Sequence, residues 1–95
     1  MKYKILGDTG LKVSAICLGT MTFGEQNTEK EAHEQLSFAL ANGINFIDTA
    51  EMYAIPPKKE TQGLTEKYIG SWIKKHNNRD SYCLATKIAG PGMEY

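Results

Sequence analysis

Neither sign of charge is in excess in this 95-residue sequence, since 11 Lys and Arg balance 11 Asp and Glu, and there is no dense basic block. The electrostatic footprint of a nucleic-acid binder is therefore missing. No apolar stretch approaches the ~18 residues that a spanning helix requires. The opening "MKYKILGD" carries charge but no apolar core, so it does not read as a secretory signal, and a cytoplasmic location is expected. Cysteine is scarce. Cys17 and Cys83 each sit inside an apolar run and read as small buried hydrophobes rather than as a disulfide or metal site. No Gly-x-Gly-x-x-Gly occurs, Gly19 and Gly24 being too far apart, which leaves a Rossmann dinucleotide fold without support. What remains, at 41% hydrophobic and 23% charged, is ordinary globular composition with room for at most one small domain.

The pattern along the chain alternates. "YKIL" and "LKVS" flank the Gly-bracketed turn "GDTG" and read as a short hairpin. "AICL" (15–18) is a continuous apolar run, expected to be a strand buried on both faces, and it stops at Gly19 and Thr20. From Thr28 the period becomes helical: Thr28-x-x-Glu31 is a capping box, and Ala32, Leu36, Ala39 and Leu40 share one face. Asn42-Gly43 closes that helix. "INFI" (44–47) reads as a second buried strand. A second helix carries Leu64, Tyr68, Ile69, Trp72 and Ile73 on its stripe, with Lys74, Lys75 and His76 in its last turn, where cations suit the dipole. "YCLA" (82–85) is the third strand, ending at Thr86 and Lys87.

Strand, helix, strand, helix, strand is the order of a parallel β/α fold, because parallel neighbours need a crossover that is usually a helix. The strand ends recur at intervals of about one β/α unit, and eight such units in ~250 residues close a barrel. Strands this apolar call for cover on both faces, yet two helices cover only one. The chain is thus expected to be the N-terminal part (1–95) of a single (β/α)8 TIM-barrel domain, cut from or truncated before its later units, with "GPGMEY" a βα loop in mid-course.

Active sites of parallel β/α folds form at the carboxyl ends of the strands. Asp48 follows the second strand, Tyr53 lies in the loop beyond it, and Lys87 follows the third. A carboxylate closing a buried strand needs a partner, and Lys87 ends the neighbouring strand. A cation beside a phenol favours the phenolate and lowers a pKa that starts near ~10, which fits Tyr53 for proton transfer. Spacing alone leaves open the plainer reading, in which Asp48 caps a loop, Tyr53 packs and Lys87 is a solvated strand end. Among other candidates, His33 reads as part of a solvated helix face and His76 as a helix-end cation. Trp72 and Tyr68 read as core. Glu51 either lines a substrate mouth or is a solvated loop acid, and Pro56-Pro57-Lys58-Lys59-Glu60 forms a stiff polar loop of the kind that sets access.

"GTMTFGE", "NFIDTAEMY" and "LATKIAG", in this order and spacing, resemble the first three signature segments of the aldo-keto reductases. The resemblance extends over essentially the whole chain and is closest to the Tas-like subgroup, with "AIPPKKETQGLTE" its most specific stretch. It implies NADPH-dependent oxidoreductase activity that reduces small-molecule aldehydes or ketones by hydride transfer. Asp48, Tyr53 and Lys87 match three members of the family's catalytic tetrad, with Tyr53 as proton donor; the fourth, a His, would lie beyond Tyr95. Gly19, Thr20 and Met21, with Asp48, correspond to cofactor contacts near the nicotinamide, and no metal is implied. The segment alone is expected to be inactive. The superfamily also includes potassium-channel β-subunits, so the alternative is a non-catalytic interaction or cofactor-sensing protein on the same scaffold.

Overall fold

The computed structural model describes residues 1–91. Of the "GPGMEY" segment, read above as an interrupted βα loop, residues 92–95 lie outside the described residues. β1 (Tyr3–Ile5) and β2 (Lys12–Ser14) form the expected antiparallel hairpin. β3 (Leu18–Gly19), β4 (Phe46–Asp48) and β5 (Cys83–Ala85) form a parallel sheet in that order, connected by α1 (Glu29–Ala41) and α2 (Leu64–His76). This is the hairpin plus β-α-β-α-β course of an opening barrel. No helix among the described residues is long and apolar enough to cross a membrane.

The helices form where local chemistry puts them. Thr28 accepts from the Glu31 amide at 3.2 Å while the Glu31 carboxylate accepts from the Thr28 amide at 2.9 Å, closing the capping box. At the other end Gly43 adopts φ +87°, and a Cβ there would stand 2.8 Å from the Tyr3 hydroxyl, which donates to the Gly43 carbonyl. The positive φ calls for glycine, and a Cβ would in addition push the Tyr3 hydroxyl aside. In α2, Ile69 and Trp72 are buried, and the Trp72 indole donates to Ser37 of α1 at 3.0 Å. Burial of such a ring removes it from water only if its N–H finds an acceptor, and Ser37 provides one.

One core results. Phe23, Ala32, Leu36, Ile47, Ile69, Trp72 and Tyr82 are buried together, and the cross-strand neighbours Leu18, Ile47 and Leu84 belong to it or pack on it. Since side chains alternate along a strand, Gly19, Asp48 and Ala85 share the opposite face. That face is open among the described residues, as two helices covering one side of the sheet lead one to expect: Cys17 is exposed, and Cys83 is half-buried. Neither cysteine is the buried hydrophobe expected, because both helices lie across the other face. The strands also begin later than their apolar runs, since a run becomes strand only where a neighbour offers a pairing register.

The hairpin is fastened at the amino end of this sheet. The Asn45 side chain accepts from the Ser14 amide at 2.7 Å and donates to the Lys12 carbonyl at 3.0 Å, while the Ser14 hydroxyl accepts from the Asn45 amide at 3.1 Å. The carboxyl end is left to the candidate site.

Candidate active site

Beyond β4 and β5 the parallel pairing continues through the loops: the Thr49 amide donates to the Ala85 carbonyl at 2.8 Å and the Glu51 amide to the Lys87 carbonyl at 3.0 Å. This extension brings the third strand's lysine to the second strand's aspartate. The Lys87 ammonium donates to both Asp48 oxygens, at 3.0 and 2.9 Å, and to the Thr49 carbonyl at 2.8 Å. It also stands 5.2 Å from the centroid of the Tyr53 ring, within cation–π range. Tyr53 is itself fixed by its main chain, donating to the Ala50 carbonyl at 3.2 Å and accepting from the Gly63 amide at 2.9 Å at the start of α2. The three residues singled out from the sequence thus converge.

They converge in the open. The Asp48 side chain keeps 41% of its surface exposed and Lys87 keeps 53%, so Asp48 is not the buried acid expected. Its partner matters for geometry more than for rescuing a desolvated charge. The hydrogen bond to Asp48 holds the Lys87 ammonium above the ordinary lysine pKa; slight desolvation opposes this, and the nearby Tyr53 phenol adds to the upward push. The Cys17 thiol on the same face is raised first by partial burial and then by the Asp48 carboxylate, against opposing effects of the Asp48 backbone and Lys87.

The end of β3 supplies the remaining side. Thr20 is fully buried and its hydroxyl donates to the Asp48 carbonyl at 2.8 Å, so it braces β4 rather than facing outward. Gly19 has no atom within 4 Å of where a Cβ would stand, and Met21 is 51% exposed. The first βα loop closes on itself through the Thr22 hydroxyl and Asn27, 2.6 Å apart. It is tied to the Pro56-Pro57 loop by a 2.7 Å Lys58–Glu25 ion pair and by the Ile55 amide donating to the Met21 carbonyl. Gly24 is required here: at φ +105°, a Cβ would meet the Leu64 Cβ at 2.7 Å.

The Thr49 carbonyl carried no signal of its own in the sequence, and the candidates Thr20 and Glu51 take roles there that the sequence did not show, the Thr20 hydroxyl bonding to Asp48 and the Glu51 carboxylate accepting from the Ala89 amide at 3.0 Å. Only the parallel register, once known, sets residues 49 and 51 against 85 and 87. His33 is not on a solvated face. Across the helix pair its Nε2 lies 3.0 Å from the Tyr68 carbonyl and 2.9 Å from the Ser71 hydroxyl, which in turn lies 2.6 Å from the Glu29 carboxylate. His33, Glu29 and His76 border a groove of about 530 Å³ on the helical side, away from the strand ends. His76 turns back to the Trp72 carbonyl at 3.0 Å, as a helix-end residue does.

Comparison with known proteins identifies the relatives of this fold. The family model described as "Aldo/keto reductase family" matches residues 15–95. Protein Tas of Escherichia coli is 55% identical over 91 residues, covering 96% of this chain and 26% of its own length. The uncharacterized oxidoreductase YrpG of Bacillus subtilis is 46% identical over 92 residues, with 96% and 27% covered. A crystal structure of a candidate aldo-keto reductase from Pseudomonas aeruginosa superposes with a TM-score of 0.76 at 32% identity, covering 97% of this chain and 33% of that one. The chain spans about a quarter of the length of the curated relatives it matches. With its hairpin, its parallel strands and a family match over most of its length, the chain belongs to the aldo/keto reductase family.

Proposed function

We propose that residues 1–95 are the N-terminal part of one reductase barrel and contribute Asp48, Tyr53 and Lys87 to a centre that reduces aldehyde or ketone carbonyls with NADPH. The observation that carries this reading is the ammonium of Lys87, gripped by both oxygens of Asp48 and seated over the ring of Tyr53. NADPH, when bound, supplies the hydride for the carbonyl carbon. Tyr53 gives its phenolic proton to the carbonyl oxygen as negative charge builds there. Lys87 holds a positive charge against Tyr53, and Asp48 and the Thr49 carbonyl hold that charge in place. The ground for the nicotinamide end fits: Gly19 leaves space beside Asp48, Met21 is available at its edge, and the Asp48 carboxylate is open enough to accept a further hydrogen bond. Thr20 contributes through its main chain only, its hydroxyl being bonded to Asp48.

The test is a hybrid in which this chain replaces the matching quarter of Escherichia coli Tas, assayed for NADPH oxidation with a panel of aldehydes and ketones. Turnover is expected, and Tyr53→Phe should lower kcat by about 10²–10⁴-fold with NADPH affinity unchanged, because the phenol acts only as the alkoxide forms. Equal turnover in the variant would remove Tyr53 as the acid. A hybrid that binds NADPH tightly yet turns over no carbonyl would favour the cofactor-sensing alternative.

A further inference from the structure

We infer that Glu51 is a positioning residue for Lys87, its amide and its carboxylate gripping the main chain at the Lys87 carbonyl and, just beyond it, the Ala89 amide, so that the ammonium stays aimed at Asp48 and Tyr53. The inference rests on the role proposed for Lys87. β5 ends at Ala85, and beyond it the chain has little to hold it: Lys87 is exposed and the Ile88 side chain, 89% exposed, packs on nothing. A lysine has four rotatable bonds between Cα and nitrogen, so three simultaneous acceptor contacts require a fixed starting point. Glu51 supplies it twice. Its amide donates to the Lys87 carbonyl at 3.0 Å, and its Oε1 accepts from the Ala89 amide at 3.0 Å, closing a ring around residues 87–89. On the other flank the Thr86 hydroxyl donates to Glu66 at 2.6 Å, anchoring the turn to α2. The groups acting on the Lys87 charge are Asp48 and Tyr53. The Glu51 carboxylate is turned to an amide, so its effect on Lys87 runs through the backbone.

Two substitutions separate that route from a direct charge effect. Glu51→Ala removes the acceptor, whereas Glu51→Gln keeps an oxygen acceptor and discards the charge; both keep the amide. The readout on this chain is the pH profile of Lys87 acetylation by trace acetic anhydride, resolved peptide by peptide by mass spectrometry. In Glu51→Ala the midpoint for Lys87 should fall towards the ordinary lysine value of ~10.4 as its grip on Asp48 loosens. Glu51→Gln should keep the wild-type midpoint. In the Tas hybrid, Glu51→Ala should lower kcat on the order of tenfold to a hundredfold with KM little changed, the size expected when a catalytic group is slightly misplaced. An unchanged Lys87 midpoint in Glu51→Ala, or Glu51→Gln behaving like Glu51→Ala, overturns the inference. A shifted midpoint together with a hybrid that reduces no carbonyl leaves Glu51 in its role and refutes the reductase reading instead.

Discussion

Replacing Thr20 by Val should destabilise the chain although it keeps almost the same shape. Thr20 is fully buried, and its hydroxyl donates to the Asp48 carbonyl at 2.8 Å, joining the end of β3 to the end of β4. A net hydrogen bond is worth about 0.5–1.5 kcal/mol, and leaving a buried acceptor without its partner costs about 1–3 kcal/mol. The Asp48 carbonyl is only partly buried, so the lower half of that range applies, about 1–2 kcal/mol. For a chain of this size that is roughly 4–8 °C of melting temperature for each kcal/mol. Thermal unfolding followed by circular dichroism would measure it, with Thr20→Ser as the control that keeps the hydroxyl and gives up one methyl, roughly 0.8 kcal/mol. In the hybrid enzyme Thr20→Val should lower kcat as well, because β4 carries Asp48. If Thr20→Val melts with the wild type, or above Thr20→Ser, the hydroxyl does not brace the strand ends and the reasoning fails.

Lys87→Met should suppress turnover in the hybrid as severely as loss of Tyr53, measured as kcat. Because Asp48 raises the Lys87 pKa above its unfolded value of 10.5, the pair stabilises the fold fully below that pH and ceases to do so as pH rises through the higher folded value. The stability gap between wild type and Lys87→Met should accordingly stay flat from neutrality to about pH 10 and close above it, as urea unfolding at a series of pH values would record. Asn45→Ala removes the bonds to Ser14 and Lys12 that fasten the hairpin, and should cost about 1–3 kcal/mol. Hydrogen exchange should show the β1 and β2 amides losing protection while those of β4 and β5 keep theirs, and kcat should hold.

What could be read in advance was what is written locally. Thr28, Glu31 and Gly43 bound α1 because caps and left-handed glycines act within a few residues, and the stripe from Leu64 to Ile73 marked the face of α2 that meets the sheet. Asp48 and Lys87 could be paired because strand ends of neighbouring β/α units meet. The open second face of the sheet could be read as well, since three apolar strands with two helices leave one side without cover. His33 was misplaced because its face of α1 turns to the polar seam with α2, where Tyr68 and Ser71 supply hydrogen-bond partners 35 and 38 residues away. Asn45 escaped notice, and Thr20 and Glu51 were noticed without the bonds they make, because a bond from a side chain to distant main chain leaves no period or motif.

The contacts of Lys87 also constrain where protons can travel. An ammonium has three N–H bonds and no lone pair, and this one faces three acceptors: two oxygens of Asp48 and the carbonyl of Thr49. Passing a proton to the Tyr53 phenol would leave a neutral amine against the Asp48 carboxylate and the Thr49 carbonyl, the two partners that hold its charge. The lysine is thereby built as a fixed charge and not as a relay station. In the role proposed for Tyr53, a phenol that gives up its proton would be reloaded from bulk water, and the half-exposed setting of the Asp48–Lys87 pair leaves that route open.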